Sequence, residues 1–177
     1  MNSPNEEHLE AVYRILRYLK MTPDKGLFFK KGSEKRIEVY SDADWAESVT
    51  DRKSTTRYCT YVWGNLVTWR SKKQTVVARS SAKAEYRALA LSICEGIWLK
   101  RLLNELGVQS SRSIKFIVTI WLPLVLQKNP VHHDRTKHVE LDRHFIKEKA
   151  EEGILNLIYT PTSSQVADIL TKALPKV

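Results

Sequence analysis

Three carboxylates stand apart from the other acids of this 177-residue chain. Most of its 20 Asp and Glu residues have Lys or Arg close by in sequence and read as solvated charges. Asp42 closes the alternating apolar run Ile37–Ser41, and the C-terminal ends of strands in α/β sheets are where sites collect. Glu85 lies near the start of a long helical pattern, on its first turn and beside its apolar stripe. Asp168 sits among Val166, Ala167, Ile169 and Leu170, at the predicted start of a last helix. A helix start favours a negative charge by roughly 0.3–1 kcal/mol. An acid in such company is either an N-terminal cap or a ligand held for a cation. Spacing along the chain leaves both open, because only the fold could bring the three together.

The elements that would position them follow from hydrophobic period and turn chemistry. Residues 6–20 carry Leu9, Val12, Tyr13, Leu16 and Leu19 at helical spacing, and the turn residues of 22–26 end that helix. Short strands are expected at 27–29 and 37–40. Residues 58–63 and 66–69 form a hairpin with Gly64-Asn65 as its turn. The longest helix spans 81–106 and stops at Gly107. Ile114–Trp121 is a β-prone apolar run. A helix over 139–152 stops at Gly153, a strand covers 154–159, and 164–174 forms a final helix. This mixture predicts an α/β fold.

Composition narrows the function. Lys and Arg number 29, the net charge is +9, and 42% of residues are apolar, a globular balance. The charge is spread: residues 1–36, 37–110 and 111–177 each carry +3. A polyanionic partner is therefore expected to meet a folded surface and not a basic tail. Arg70, Lys72 and Lys73 beside Trp69 form a patch suited to tracking a phosphate backbone, with Arg135 and Lys137 as further candidates or an ordinary basic loop. Cys59 and Cys94 lack CxxC spacing, which excludes a zinc ribbon and a disulfide framework. His132, His133, His138 and His144 lack the i, i+4 spacing of a helical zinc pair. Trp45, Trp69 and Trp98 are expected to pack. The polar, acidic start and the lack of a long apolar stretch predict an intracellular protein with no membrane span.

Six motifs in order carry a resemblance. Tyr40-Ser41-Asp42-Ala43-Asp44-Trp45-Ala46, Asp51-Arg52-Lys53-Ser54-Thr55 and Trp69-Arg70-Ser71-Lys72-Lys73-Gln74 are followed by Ala84-Glu85-Tyr86-Arg87-Ala88. His133-Asp134-Arg135-Thr136-Lys137-His138 and Ala167-Asp168-Ile169-Leu170-Thr171-Lys172 complete the set. Together they resemble the ribonuclease H domain of copia-type retrotransposon Pol polyproteins, especially those of plants. Residues 1–30 resemble the connection that follows the polymerase, and 31–177 the ribonuclease H-like domain. The resemblance implies a mixed five-stranded sheet flanked by helices and an attached reverse transcriptase. It also implies hydrolysis of the RNA strand of RNA–DNA hybrids by two Mg²⁺ ions held on four carboxylates. Carried over by position, Asp42, Glu85 and Asp168 are the catalytic and metal-binding acids, with Asp44 a neighbour.

The chain departs from this pattern at the fourth acid. The Asp of a Cys-Asp-Asn motif is expected near the end of the fourth strand, and Thr119 stands there. Residues 117–126 can be written in codons that restore Tyr/His-Cys-Asp-Asn-Met-Ala-Ala when the frame moves by one base. A one-base loss near codon 117 with a compensating gain near codon 127 would account for the segment, and the coding DNA decides it. Glu47, Arg57 and Trp63 stand where the family usually has Gly, and Lys83 where it has Glu. Lys83 forfeits a capping box with Ser80. The strand should survive, and Pro123 should interrupt the helix after it. Three readings follow: an active or weakly active ribonuclease H, a relic that binds nucleic acid without cutting, or an open reading frame without function.

Overall fold

The computed structural model describes residues 3–23, 26, 29–31, 34–108, 110–111, 113–120 and 137–170. The amphipathic N-terminal segment forms α1 (Glu6–Met21). Its start is fixed reciprocally: Asn5 Oδ1 accepts from the His8 backbone N–H at 3.1 Å, and His8 Nδ1 accepts from the Asn5 N–H at 3.0 Å. None of its residues is buried, so its apolar stripe faces outward among the described residues.

The strands are β1 (Ile37–Ala43), β2 (Thr55–Val62), β3 (Asn65–Lys73), β4 (Ile114–Val118) and β5 (Leu155–Tyr159). They form one mixed sheet in the order β3-β2-β1-β4-β5, antiparallel from β3 to β1 and parallel from β1 to β5. This is the expected five-stranded sheet, with β1 at its centre. Helix α2 (Ser81–Glu105) makes the crossover to β4 and lies on the sheet. Leu89, Ile93 and Leu99 from α2 meet Ile37, Val39, Ile114, Phe116 and Val118, all almost fully buried. A Cβ at Gly96 would come within 3.0 Å of Phe116 Cζ, which shows how closely helix and sheet approach. Helix α3 (Lys137–Glu151) packs on α2 and contributes Ile146 to the core.

Several boundaries differ from the sequence reading. The hairpin turn is Trp63-Gly64, with φ of 54° and 79°, one residue earlier than the expected Gly64-Asn65. Asn65 instead opens β3 and exchanges two hydrogen bonds with the Lys30 backbone, at 2.8 and 2.9 Å. Phe29, from the strand expected over 27–29, lies in no strand, and residues 27 and 28 lie outside the described residues. β4 stops at Val118, short of Trp121. The final helix is replaced by two 3-10 turns, Thr162–Ser164 and Val166–Leu170. Residues 171–174 of that helix, and the segment interrupted by Pro123, lie outside the described residues. Trp45, Trp69 and Trp98 do not pack inside: each is more than half exposed, and Trp45 Nε1 donates to the Ala78 carbonyl at 2.9 Å.

Trp63 holds a left-handed backbone that a bulky residue adopts only under strain, and its buried Nε1 has no hydrogen-bond partner among the described residues. Trp63→Gly is therefore expected to raise the unfolding free energy by about 1 kcal/mol, read by denaturant titration.

Candidate functional site

The central strand delivers Asp42 near its C-terminal end, where the residue is only 5% exposed. In the antiparallel ladder Asp42 lies directly opposite Arg57 of β2, so the two side chains share one face of the sheet. Helix α2 is capped by Ser80, whose hydroxyl accepts from the Lys83 backbone N–H at 3.4 Å. Glu85 falls on the fifth residue of α2, in its second turn and not its first. Thr119 is the first residue past β4. Asp168 arrives on the last 3-10 turn, tied across the sheet by the buried Gln165. Gln165 Nε2 donates to the carbonyls of Ser41 (3.1 Å) and Ile117 (3.3 Å), while its Oε1 accepts from the Ala167 N–H at 3.2 Å.

These elements bring Asp42, Glu85, Asp168, Thr119 and Arg57 into one cleft of about 520 Å³. The buried Arg57 guanidinium lies among the acids: its Nη1 is 2.7 Å from Asp168 Oδ1 and 3.2 Å from Asp42 Oδ2. Its Nη2 is 3.7 Å from Asp44 Oδ2 and 4.0 Å from Glu47 Oε2. The Thr119 hydroxyl donates to Asp42 Oδ1 at 3.0 Å and lies 3.3 Å from Glu85 Oε1. It has one hydrogen for two acceptors. Asp44 turns its Oδ1 to the Thr55 backbone N–H at 2.5 Å and so ties the loop between β1 and β2.

Burial and mutual repulsion set the protonation of the acids. Desolvation raises the Asp42 pKa, and the Asp168 charge adds to this, against the lowering pull of Arg57 and the Thr119 hydroxyl. Glu85 is pushed up to about 8 by burial first and then by Asp42, with only partial relief from the Ala43 N–H, Thr119 and Arg57. Glu85 is thus largely protonated near neutral pH and can itself donate to Thr119, which frees the hydroxyl hydrogen for Asp42.

The donor set does not fit the divalent ions that the resemblance implies. The three acids share the cleft, but among the described residues no group of three or more His, Cys, Asp or Glu side chains is arranged closely enough to hold a metal ion. Both Asp42 oxygens are engaged, one by Thr119 and one by Arg57, and Arg57 also holds Asp168. A fixed positive charge between the acids repels a second cation.

The basic candidates lie elsewhere. Arg70 and Lys72 stand opposite Tyr58 and Thr56 on the edge strand β3, on the sheet face away from Asp42 and Arg57. With Lys73 and Arg87 they line a separate groove of about 820 Å³. Lys73 also reaches Asp51 at 3.5 Å. Arg135, His132 and His133 lie outside the described residues, as do the side chains of Lys137 and His138. Sequence reasoning misses Gln165, and it marks Arg57 only as a bulky residue in a hairpin. Gln165 leaves no signal, because it only ends the polar run Thr162-Ser163-Ser164-Gln165. Arg57 leaves its departure from the Gly of the pattern.

Comparison with known proteins bears on this cleft. No family model matches the chain. The chain is 43% identical over 176 residues to the retrovirus-related Pol polyprotein from transposon RE1 of Arabidopsis thaliana, covering 99% of the chain and 12% of that protein. It is 43% identical over 177 residues to the RE2 counterpart from the same plant, covering all of the chain and 12% of the relative. The Pol polyprotein from transposon TNT 1-94 of Nicotiana tabacum is 38% identical over 99% of the chain and 13% of its own length. The chain thus spans about one-eighth of the relatives it matches. Among solved structures, LC11-RNase H1 in complex with an RNA/DNA hybrid superposes with a TM-score of 0.54 at 17% identity, over 76% of this chain and 93% of that one. The N-terminal RNase H domain of a Mycobacterium tuberculosis protein gives 0.51 at 12% identity, over 77% and 91%. These likenesses show the fold.

The raised Glu85 pKa fixes a sign for stability against pH. Between its ordinary value of 4.5 and about 8, the folded chain holds a proton that the unfolded chain has lost. Stability is therefore expected to fall as pH rises through this window, by up to about 1.4 kcal/mol per pH unit from this group. Asp42 and Arg57 face it, and Asp42 contributes in the same direction over its own range. Denaturant titrations in chelator should show the slope, and Glu85→Gln should flatten it.

Proposed function

Since the chain belongs to the retrovirus-related Pol polyproteins of transposons and has the ribonuclease H fold, we propose that it is a ribonuclease H-like domain of a copia-type element that recognises RNA–DNA hybrids and cuts them poorly. The observation that carries this reading is the convergence of Asp42, Glu85 and Asp168 on one cleft at the end of the central strand. Such a cluster of buried and half-buried acids costs folding free energy through desolvation and repulsion, and an acidic site is the usual reason for a fold to keep one.

Impairment follows from what stands beside the acids. Thr119 puts a neutral hydroxyl where the pattern expects a carboxylate, and the remaining acids do not fit the implied Mg²⁺ ions. The hydrolytic role of Asp42, Glu85 and Asp168 is therefore the ancestral one in this reading. The chain is then a degenerate copy, and a one-base shift across codons 117–126 is the event that removed the acid.

Nucleic acid is expected to meet the basic edge. Arg70 and Lys72 on β3, with Lys73 and Arg87 beside them, offer contacts to phosphates and none that would read a base. In the parent element residues 1–30 would join this domain to a reverse transcriptase, which agrees with the outward-facing stripe of α1. An intracellular setting belongs to the same reading, and no described helix is long and apolar enough to cross a membrane.

The test is a labelled RNA–DNA hybrid incubated with the full chain and Mg²⁺. Binding is expected, with cleavage slower than that of a competent ribonuclease H by about 10³-fold or more. Near-normal turnover would overturn the impairment, and absence of binding would overturn hybrid recognition in favour of an open reading frame without function. Binding should weaken with salt whatever the sequence of the hybrid. Arg70→Ala with Lys72→Ala should lower affinity uniformly and reduce the slope of log K against log salt by about 1 for each phosphate that is no longer neutralised.

A further inference from the structure

We propose that Arg57 is a resident counter-cation that occupies the acidic cleft in the place of a bound divalent ion, closing it to Mg²⁺ in this chain. The proposal rests on reading the cleft as an ancestral cation site, and it adds a cause of closure that does not depend on Thr119.

The position of the guanidinium carries the argument. One nitrogen, Nη1, touches both Asp42 and Asp168, acids 126 positions apart in sequence that only the fold unites. The other terminal nitrogen faces Asp44 and the rim residue Glu47. Bridging two carboxylates from different elements is what a coordinated cation would do, and Arg57 does it from within the chain. Its side chain is too buried to move out into solvent without breaking these contacts. Its Nε has no hydrogen-bond partner among the described residues. The guanidinium is thus incompletely satisfied, and its burial is explained by the acids around it and not by a full set of hydrogen bonds.

A divalent ion and this guanidinium exclude each other. Carboxylate oxygens approach Mg²⁺ to about 2.1 Å and Ca²⁺ to about 2.3–2.6 Å, so an ion at the Nη1 position would need that nitrogen gone. Removing Arg57 leaves Asp42 and Asp168 facing one another with no cation between them, which is both destabilising and the condition under which a divalent ion binds.

The experiment is thermal melting of the full chain in chelator, in Mg²⁺ and in Ca²⁺, for wild type, Arg57→Gly and Arg57→Gln. Wild type should melt at the same temperature in all three. In chelator both variants should melt roughly 10 °C lower, from the loss of a buried ion-pair partner. Either metal ion should return several degrees to them at saturating concentration. A wild type stabilised by Mg²⁺ as much as the variants would overturn the proposal. So would variants that fold yet ignore both ions, or variants that no divalent ion can refold. If Arg57→Gly is unfolded in chelator and folds on adding Mg²⁺, the proposal stands. Hybrid binding, measured separately on wild type in chelator, can fail without moving these melts, so loss of the nucleic-acid reading and loss of this one are told apart.

Discussion

Crowding of like charge in a place that water cannot fully reach is the constraint around which this molecule is arranged. Asp42, Glu85 and Asp168 come from a strand, a helix and a 3-10 turn, and each element exists for reasons unconnected with the others. Burial first, and their mutual repulsion second, raise the Asp42 and Glu85 pKa values, and that repulsion would push the elements apart if nothing offset it. Three groups do: the Arg57 guanidinium, the Thr119 hydroxyl and the Ala43 backbone N–H. The protonation of Glu85 is the fourth means, because an acid that keeps its proton removes one charge from the crowd.

Positioning is the work of a different set of residues. Gln165 spans β1 and β4 with one amide and so fixes where Asp168 can go. Buried Gln74 donates to Thr56 Oγ1 at 3.1 Å and to the Ala84 carbonyl at 3.0 Å, joining β2 to the start of α2 one residue before Glu85. Both are amides, which carry directional hydrogen bonds without adding charge to the cleft. A charged residue in either place would have entered the electrostatic balance as well as the geometry.

The sheet and its principal helices are legible because their hydrophobic periods are strong and their ends are marked. Gly107 and Gly153 both take a positive φ at the stops where the sequence puts them. The three acids are legible from their apolar company. What escapes depends on side chains acting across the fold. Apolar spacing alone predicts a last helix, and the Gln165 amide holds that stretch in short 3-10 turns instead. Asn suits a left-handed backbone, which favours Gly64-Asn65 as the hairpin turn, yet Asn65 bonds to Lys30 and Trp63 carries the strain. Arg57 is visible in the sequence only as an oddity, since its role requires the β1–β2 register that sets it opposite Asp42.

Arg57 and Thr119 are separate changes that act on one charge balance. Relative to the pattern the chain resembles, a Gly has become a cation and an acid has become a hydroxyl, so each change makes the cleft less negative by one charge. Either one lowers the repulsion that the other would have to relieve, and residues sharing a charge network are coupled and not additive. With the guanidinium in place, a carboxylate restored at 119 would find a cation already held by Asp42 and Asp168. With a carboxylate at 119 and no guanidinium, the cleft would hold four acids and depend on an external cation to stay closed. The present pair avoids that dependence. The cleft keeps its shape on groups the chain carries with it.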